Sequence, residues 1–202
     1  LTLTKRAKEN SRLAGVHIVD LREELAEGNR SIFSRRLKGL IEDRLANRQQ
    51  VMLFMNRRGY AGFVSCRSCG KAMKCPHCDV SLTYHKNGRL KCHYCGFERP
   101  LPDRCPSCGS PFIAPFGTGT QKLEEFTKRE FPKARILRMD ADTTAKKGAH
   151  EEILTTFAEG GADILIGTQM IVKGHDFASV TLVGVMAADL SLYAPDYKSA
   201  ER

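Results

Sequence analysis

The sequence predicts an α/β protein in which a parallel, doubly wound sheet is interrupted by a small cysteine-rich insertion. Three observations carry this expectation. Short apolar runs alternate with amphipathic stretches of helical period, both early and late in the chain. All eight cysteines fall between Cys66 and Cys108, as four Cys-x-x-Cys pairs. The stretch before them ends as a strand and the stretch after them resumes as a helix, so the pairs break into the alternation rather than precede it.

Taken in order, GVHIVDL (15–21) reads as a strand, and SIFSRRLKGLIEDRL (31–45) as a helix capped by Ser31, with Phe33, Leu37, Leu40, Ile41 and Leu45 on one face. VMLFMN (51–56) reads as a buried strand. Beyond the cysteines, Thr118-Gly-Thr-Gln121 has the form of a capping box opening a helix with Leu123 and Phe126 inward. ARILRM (134–139) is the next strand, and KKGAHEEILTTFAEG (146–160) the next helix, with Ile153, Leu154 and Phe157 inward. ADILIG (162–167) and VTLVGVM (180–186) complete the strands. Residues 1–64 and 113–202 thus form one α/β domain, and 65–112 is an insertion of about 48 residues, too few to build a core of their own without metal.

At 202 residues, with 42% hydrophobic and 27% charged residues, the chain has the make-up of a soluble globular protein. No apolar run approaches the ~18 residues of a membrane span, and the opening LTLTKRAKENSRLAG is too polar for a signal peptide. The absence of an initiator methionine suggests a piece of a longer protein. The formal charge of +9 favours an anionic partner, though eight thiolates on two zinc ions would lower it to about +5.

Eight cysteines in a small secreted domain would imply disulfides. The uniform two-residue spacing argues for metal instead, because a tight turn between paired cysteines aims both sulfurs at one ion about 2.3 Å away. Glycine follows the second cysteine at Gly70, Gly96 and Gly109, where a positive φ turns backbone N–H groups back toward sulfur. Four such turns make two closed, structural four-cysteine zinc sites, with no open position for a catalytic water. His77 and His93 lie among the pairs and read as surface or hydrogen-bonding residues. Joining Cys66/Cys69 to Cys75/Cys78 leaves five residues to reverse the chain; joining Cys75/Cys78 to Cys92/Cys95 leaves thirteen, room for a hairpin turning at Asn87-Gly88. Loop length therefore favours a nested pairing, with Cys66/Cys69 meeting Cys105/Cys108. Spacing does not exclude an interleaved pairing of Cys66/Cys69 with Cys92/Cys95.

In parallel sheets, ligands gather at the carboxyl ends of the strands. Three polar loops follow strands here: Asn56-Arg57-Arg58-Gly59-Tyr60, Asp140-Ala141-Asp142-Thr143-Thr144 and Gly167 through Asp176. Each has a plainer reading, with Thr144 as a helix cap, Asp142 as a turn former and the arginines as a solvated face. Together they form an anion-facing rim on one edge of one sheet.

The run from Arg135 to Asp189, through DADTT, ILIGTQMIVKGHDF and VTLVGVMAAD, resembles the second, RecA-like motor lobe of superfamily-two helicases. The whole chain, from VHIVDLREELAEGNRSIFS through FMNRRGYAGFVSCRSCG to YKSAER, resembles the primosomal replication-restart family of those helicases, and the eight-cysteine insertion between NRRGY and GTGTQ is the feature that separates that family from others. The resemblance implies an ATP-dependent 3′ to 5′ DNA helicase, cytoplasmic and nucleoid-associated, that recognises stalled or D-loop-like forks and initiates primosome assembly. It implies one zinc on Cys66, Cys69, Cys105 and Cys108 and a second on Cys75, Cys78, Cys92 and Cys95, in agreement with the nested pairing. It implies that Thr168 and Gln169, with Arg57 and Arg58, meet the DNA backbone, and that Lys173, Gly174 and Asp176 line a nucleotide cleft, Asp176 nearest the ribose. Implied partners are branched and single-stranded DNA, single-stranded-DNA-binding protein, other primosome proteins and the machinery that loads the replicative helicase.

The chain departs from that family in lacking both the Gly-x-x-x-x-Gly-Lys-[Ser/Thr] loop that cradles ATP phosphates and the acidic box that holds Mg²⁺, and it stops before the arginine-finger motif. The 202-residue piece is therefore expected neither to hydrolyse ATP nor to unwind DNA alone. Two roles compete for the insertion. Its basic residues, with Tyr84, Tyr94 and Phe97, suit strand separation at a fork; a balance that falls from +5 to about +1 with two zinc sites suits docking of partner proteins equally well. A zinc-ribbon adaptor without ATPase activity and a thiol redox protein are the other readings.

Overall fold

The computed structural model describes residues 14–55, 63–85, 87–116, 119–171 and 177–188. Helices α1 (Leu21–Ala26) and α2 (Arg35–Ala46) lead into strand β1 (Gln50–Met55). The insertion, together with the residues that flank it on either side, supplies β2 (Phe63–Cys66), β3 (Thr83–Tyr84), β4 (Arg89–Lys91), β5 (Glu98–Pro100) and β6 (Ile113–Phe116). The chain then continues through α3 (Thr120–Glu130), β7 (Ile136–Met139), α4 (Ala149–Ala158), β8 (Ile164–Gly167), a 3-10 turn (Gln169–Ile171) and β9 (Val180–Met186).

Strands β7, β8, β1 and β9 form a parallel sheet in that order. Alternate residues of each strand face opposite sides, and two apolar clusters result. Val51, Leu53, Ile164 and Ile166 pack with Phe33 and Ile41 around α2 and with Leu123 of α3; Met52, Phe54, Leu165 and Met139 pack with Leu154 and Phe157 of α4. A parallel sheet has to be covered on both faces because its connections are helices, and α3 and α4 accordingly lie on opposite sides. The step from β1 outward to β7 runs through α3 and the return to β8 runs through α4, so right-handed crossovers in opposite directions place them there.

The insertion is a separate antiparallel sheet, order β5-β4-β3-β2-β6. Its root is the ladder from Phe63↔Phe116 to Cys66↔Ile113, which closes the loop between β1 and α3. The β3–β4 hairpin turns at Asn87-Gly88 as the sequence predicts, with Gly88 at φ 77° and the Asn87 side-chain oxygen accepting from the Arg89 N–H. Its own core joins Val64, Met73, Leu82 and Leu90 to the buried cysteines.

Four local expectations are corrected. GVHIVDL is not a strand: residues 14–20 form no regular element, with Val16 83% and Ile18 95% exposed, and among the described residues no strand supplies the second half of a ladder. The cap of α2 is Ser34, whose hydroxyl accepts from Leu37 N–H at 3.1 Å, whereas Ser31 accepts from Phe33 N–H in a tight turn. That turn places the Phe33 ring, 2% exposed, edge-on to Phe131 at 5.9 Å, a packing that continuing the helix back to Ser31 would forgo. Helix α3 starts after Gly119 without a side-chain cap; Thr118 lies outside the described residues and the Thr120 hydroxyl goes to Asp140 instead. Thr144 caps no helix either. Its hydroxyl donates to the Asp140 carbonyl at 2.7 Å, and α4 starts five residues later, behind Gly148 in the left-handed region at φ 85°.

Candidate metal centres and the carboxyl edge of the sheet

Each Cys-x-x-Cys pair builds the same turn. The first cysteine's carbonyl accepts from the N–H four residues on: Gly70 to Cys66 (2.8 Å), Asp79 to Cys75 (3.1 Å), Gly96 to Cys92 (3.0 Å) and Gly109 to Cys105 (2.8 Å). Its own N–H donates to the carbonyl five residues on, at Lys71, Val80, Phe97 and Ser110. The closing residue needs a positive φ: the three glycines stand at 75°, 77° and 70°, and Asp79 adopts 54° in the fourth turn. Asp tolerates this region better than most residues because its short polar side chain bonds locally, and Asp79 also pairs with Lys74 at 2.9 Å.

The four turns meet in two sets, Cys66, Cys69, Cys105 and Cys108 in one and Cys75, Cys78, Cys92 and Cys95 in the other, with all sulfurs of a set within 4.8 Å of one another. Of the pairings open to the sequence, this is the nested one. Sulfurs lie 3.6 Å apart at Cys66–Cys108, 3.8 Å at Cys69–Cys105 and 3.5 Å at Cys75–Cys95. A disulfide needs about 2.05 Å, whereas four sulfurs at 2.3 Å from a tetrahedral ion lie about 3.8 Å apart. The clusters fit two zinc ions. In every turn the first cysteine is buried and the second lies nearer solvent, Cys95 and Cys108 being exposed.

The thiols themselves favour a cation. Burial opposes ionisation of Cys66, yet the N–H groups of Cys69 and Ser68, aided by Cys108, hold it down at about 7. At Cys92 the N–H of Cys95, against burial and with Tyr94, does the same, also to about 7. The Cys95 sulfur, with burial and Cys92, pushes Cys78 up to about 12. At Cys108 the Ser110 N–H favours the thiolate, but burial and the three neighbouring sulfurs outweigh it and the group is pushed up to about 12. One thiolate forms readily in each set and then resists the next; a divalent cation removes that conflict.

His77 and His93 lie outside both sets: His77 stacks edge-on to Phe97 at 5.5 Å and His93 lies 5.2 Å from His85. Tyr84 and Phe97 pack against the insertion's core, while Tyr94 is 70% exposed. Several of the insertion's cations face acids: Lys74 pairs with Asp79, and Arg89 and Lys91 both pair with Glu98.

The parallel register puts the ends of β7, β8, β1 and β9 on one edge. There Asp140, 7% exposed, holds three segments together: it accepts from the Thr120 hydroxyl, from Arg138 at 2.6 Å and from the N–H groups of Asp142 and Thr143. Asp142, expected to form the turn, is held by it. The signal for this hub was in the sequence, since Asp140-x-x-Thr143 is the spacing of a side chain that caps its own turn. A polar recess of about 370 Å³ opens beside it, lined by Gly119, Thr120, Gln121, Lys122, Glu125, Arg138 and Asp142.

Thr168 follows β8 and its carbonyl accepts from Ile171 N–H at 3.1 Å; Gln169 opens the 3-10 turn. Gly167 lets this turn fold back on the sheet, since a Cβ there would lie 2.4 Å from the Ile171 side chain and 2.9 Å from the Met139 carbonyl oxygen. Gly167→Ala should therefore destabilise the parallel-sheet domain by about 2 kcal/mol through overpacking, read as a lowered thermal midpoint, with chemical-shift changes centred on Thr168. Arg57, Arg58, Lys173, Gly174 and Asp176 lie outside the described residues.

Fold and clusters define a class: an α/β domain with a parallel sheet, interrupted after its first strand by a ribbon with two four-cysteine centres. The family of the "PriA DNA helicase Cys-rich region (CRR) domain" matches residues 75–100, the span of the inner cluster. The chain is 57% identical over 188 residues to replication restart protein PriA of Bacillus subtilis, an alignment covering 93% of this chain and 23% of that protein. It is 54% identical over 195 residues to the Synechocystis protein of the same name, covering 94% and 24%, and 38% identical over 203 residues to that of Haemophilus influenzae, covering 100% and 27%. By sequence, this chain is kin to the replication restart protein PriA. It spans about a quarter of the length of these curated relatives. Among the described residues no helix is long and apolar enough to cross a membrane.

Proposed function

We propose that this chain is the second, RecA-like motor lobe, with its zinc-ribbon insertion, of an ATP-dependent 3′ to 5′ DNA helicase that recognises stalled or D-loop-like forks and initiates primosome assembly. Residues 1–64 and 113–202 are the lobe and 65–112 the insertion. The observation that carries this reading is the joint presence of two nested four-cysteine clusters between β1 and α3 and the Gly167-Thr168-Gln169 turn on the carboxyl edge of the same sheet. In this reading each cysteine set holds a structural zinc, which fixes the ribbon's turns and leaves no site for water. Thr168 and Gln169, with Arg57 and Arg58, hold the phosphate backbone of the tracking strand through contacts that read no bases. Lys173, Gly174 and Asp176 face the nucleotide, whose phosphates and Mg²⁺ are held by parts of the parent protein outside this chain. The isolated chain then neither hydrolyses ATP nor unwinds DNA.

For the insertion, strand separation at the fork and docking of primosome partners stand equal, and the neutralising pairs at Lys74, Arg89 and Lys91 support a surface that is not purely electrostatic. The test compares the full-length parent protein with its Cys75→Ser form for zinc content, DNA-stimulated ATPase, unwinding and partner loading. ATPase that persists while unwinding or loading falls by tenfold or more, with one zinc lost, is the expected result. Unchanged unwinding and loading with one zinc lost would remove the insertion from the mechanism. A parent that shows no DNA-stimulated ATPase would leave the adaptor reading.

A further inference from the structure

The two cysteine clusters sit differently on the lobe. The outer cluster adjoins it and the inner one does not: among the described residues no hydrogen bond or ion pair joins the Cys75–Cys78 or Cys92–Cys95 turns to the parallel-sheet domain. The turn between Cys66 and Cys69 carries Arg67, whose guanidinium leaves the ribbon altogether. Its Nη1 donates to the Arg30 carbonyl and its Nη2 to the Ser31 carbonyl, each at 3.0 Å, and its backbone N–H donates to the Phe112 carbonyl at 2.8 Å. In return the Arg30 guanidinium lies 5.4 Å from the centre of the Phe112 ring, within the range of a cation–π contact. Between the two outer turns, the hydroxyls of Ser68 and Ser110 are 2.7 Å apart.

The receiving segment is itself held in place. Asn29 donates to the Phe33 carbonyl at 3.0 Å and to Glu24 at 2.7 Å, and accepts from the Ser31 N–H at 3.0 Å, so the two carbonyls that Arg67 meets are fixed ahead of α2. A planar fork of donors spanning two successive carbonyls resists both sliding and twisting, which a lysine, with one charged nitrogen, does less well.

We propose that the outer cluster is the joint that sets the ribbon's orientation on the lobe, with Arg67 as its positioning residue, and that the inner cluster only shapes the ribbon's far end. Because Arg67 projects from the turn that Cys66 and Cys69 close, metal in the outer cluster and docking of the ribbon stabilise each other, and linkage makes the effect reciprocal. The proposal rests on the reading of both clusters as zinc sites. The two readings fail separately: a wild-type chain without two zinc ions overturns the first, whereas the joint is read from alignment of the two bodies.

The experiment uses the full 202-residue chain, loaded with zinc, and residual dipolar couplings of its backbone amides. In the wild type the ribbon and the lobe should share one alignment tensor. Arg67→Ala, with both folds retained, should give the ribbon a smaller tensor of its own and speed the release of one of the two zinc ions to a chelator about tenfold, within the usual range of coupling between sites. Arg67→Lys should restore part of both effects, and Arg30→Ala, which removes only the contact with the Phe112 ring, should loosen the tensor and, by the same linkage, speed that release to a lesser degree while the chain still binds two zinc ions. If ribbon and lobe align as one body in both alanine variants, and both zinc ions leave at wild-type rates, the joint lies elsewhere.

Discussion

Removal of zinc by a strong chelator should unfold the insertion and leave the parallel-sheet lobe standing. The ribbon's own core is a handful of side chains, half of them the cysteines, whereas the lobe has two apolar clusters that include none of the ribbon's residues. Structural zinc in small domains contributes roughly 10 kcal/mol or more per ion to folding, which this core does not replace. Amide exchange should therefore become fast at Leu82, Leu90 and their neighbours while Leu53, Ile164 and Leu165 stay protected. Acid should do the same. Loading requires four thiolates per ion, so it releases protons, and affinity falls as pH falls. Once the pH drops below about 7, where even Cys66 and Cys92 take up protons in the metal-free chain, the loss per pH unit steepens toward its limit of four protons per ion. Release followed with a metal indicator from pH 7.5 to 5 checks the sign. Zinc retained with unchanged affinity across that range would contradict a four-thiolate site.

Asp140→Ala is expected to destabilise the lobe by about 3 kcal/mol, the range for removing one member of a buried, charge-assisted set. That corresponds to a fall of roughly 10 °C in the thermal midpoint for a protein of this size. The carboxylate joins the start of α3, the end of β7 and the loop beyond it, and its loss leaves the Thr120 hydroxyl, two N–H groups and part of the Arg138 charge without their acceptor. Burial disfavours ionisation of Asp140, but the Thr120 hydroxyl, the Thr143 N–H and Arg138 outweigh it and hold the group below the usual carboxylate range. A carboxylate so lowered contributes stability that is fully present above its unfolded value, near 3.9, and that fades as pH falls through the lower folded value. The difference between wild type and Asp140→Ala, read by urea denaturation with the lobe as probe, should be constant near neutrality and shrink only below about pH 4. A difference that grew on acidification would reverse the sign and exclude this account.

Periodicity made the two-sided sheet legible, because burial on a strand or helix is written into the spacing of residues such as Val51, Leu53, Ile153 and Phe157. The cysteine sets were legible for a related reason: the turn that aims two sulfurs at one point is local, and loop length alone inclined toward the nested match. What depends on distant partners was not. GVHIVDL has the composition of a strand, but a ladder needs a neighbour. Ser31 and Ser34 are equally good caps locally, and the packing of Phe33 on Phe131 decides between them. Asp140 lay within a loop marked as functional, yet its reach to Thr120, twenty residues earlier, follows from the parallel order of the strands. Arg67 was one of eight basic residues in the insertion until the fold brought it to Arg30 and Ser31.

The nesting of the clusters also bears on the order in which the chain can be assembled. Cys69 and Cys105 are 36 positions apart, and Cys66 and Cys108 are 42 apart. Bringing such ends together before anything between them has formed is slower and entropically costlier than doing so across a short gap, the expense growing with the logarithm of the loop. Once Cys75 and Cys95 have met, the path between the outer turns runs across the inner site instead of around it, less than half as long, which lowers the closure term by about 0.5–1 kcal/mol. Loop entropy thus favours closing the ribbon from its tip toward its root, with the turn bearing Arg67 set after the ribbon it holds.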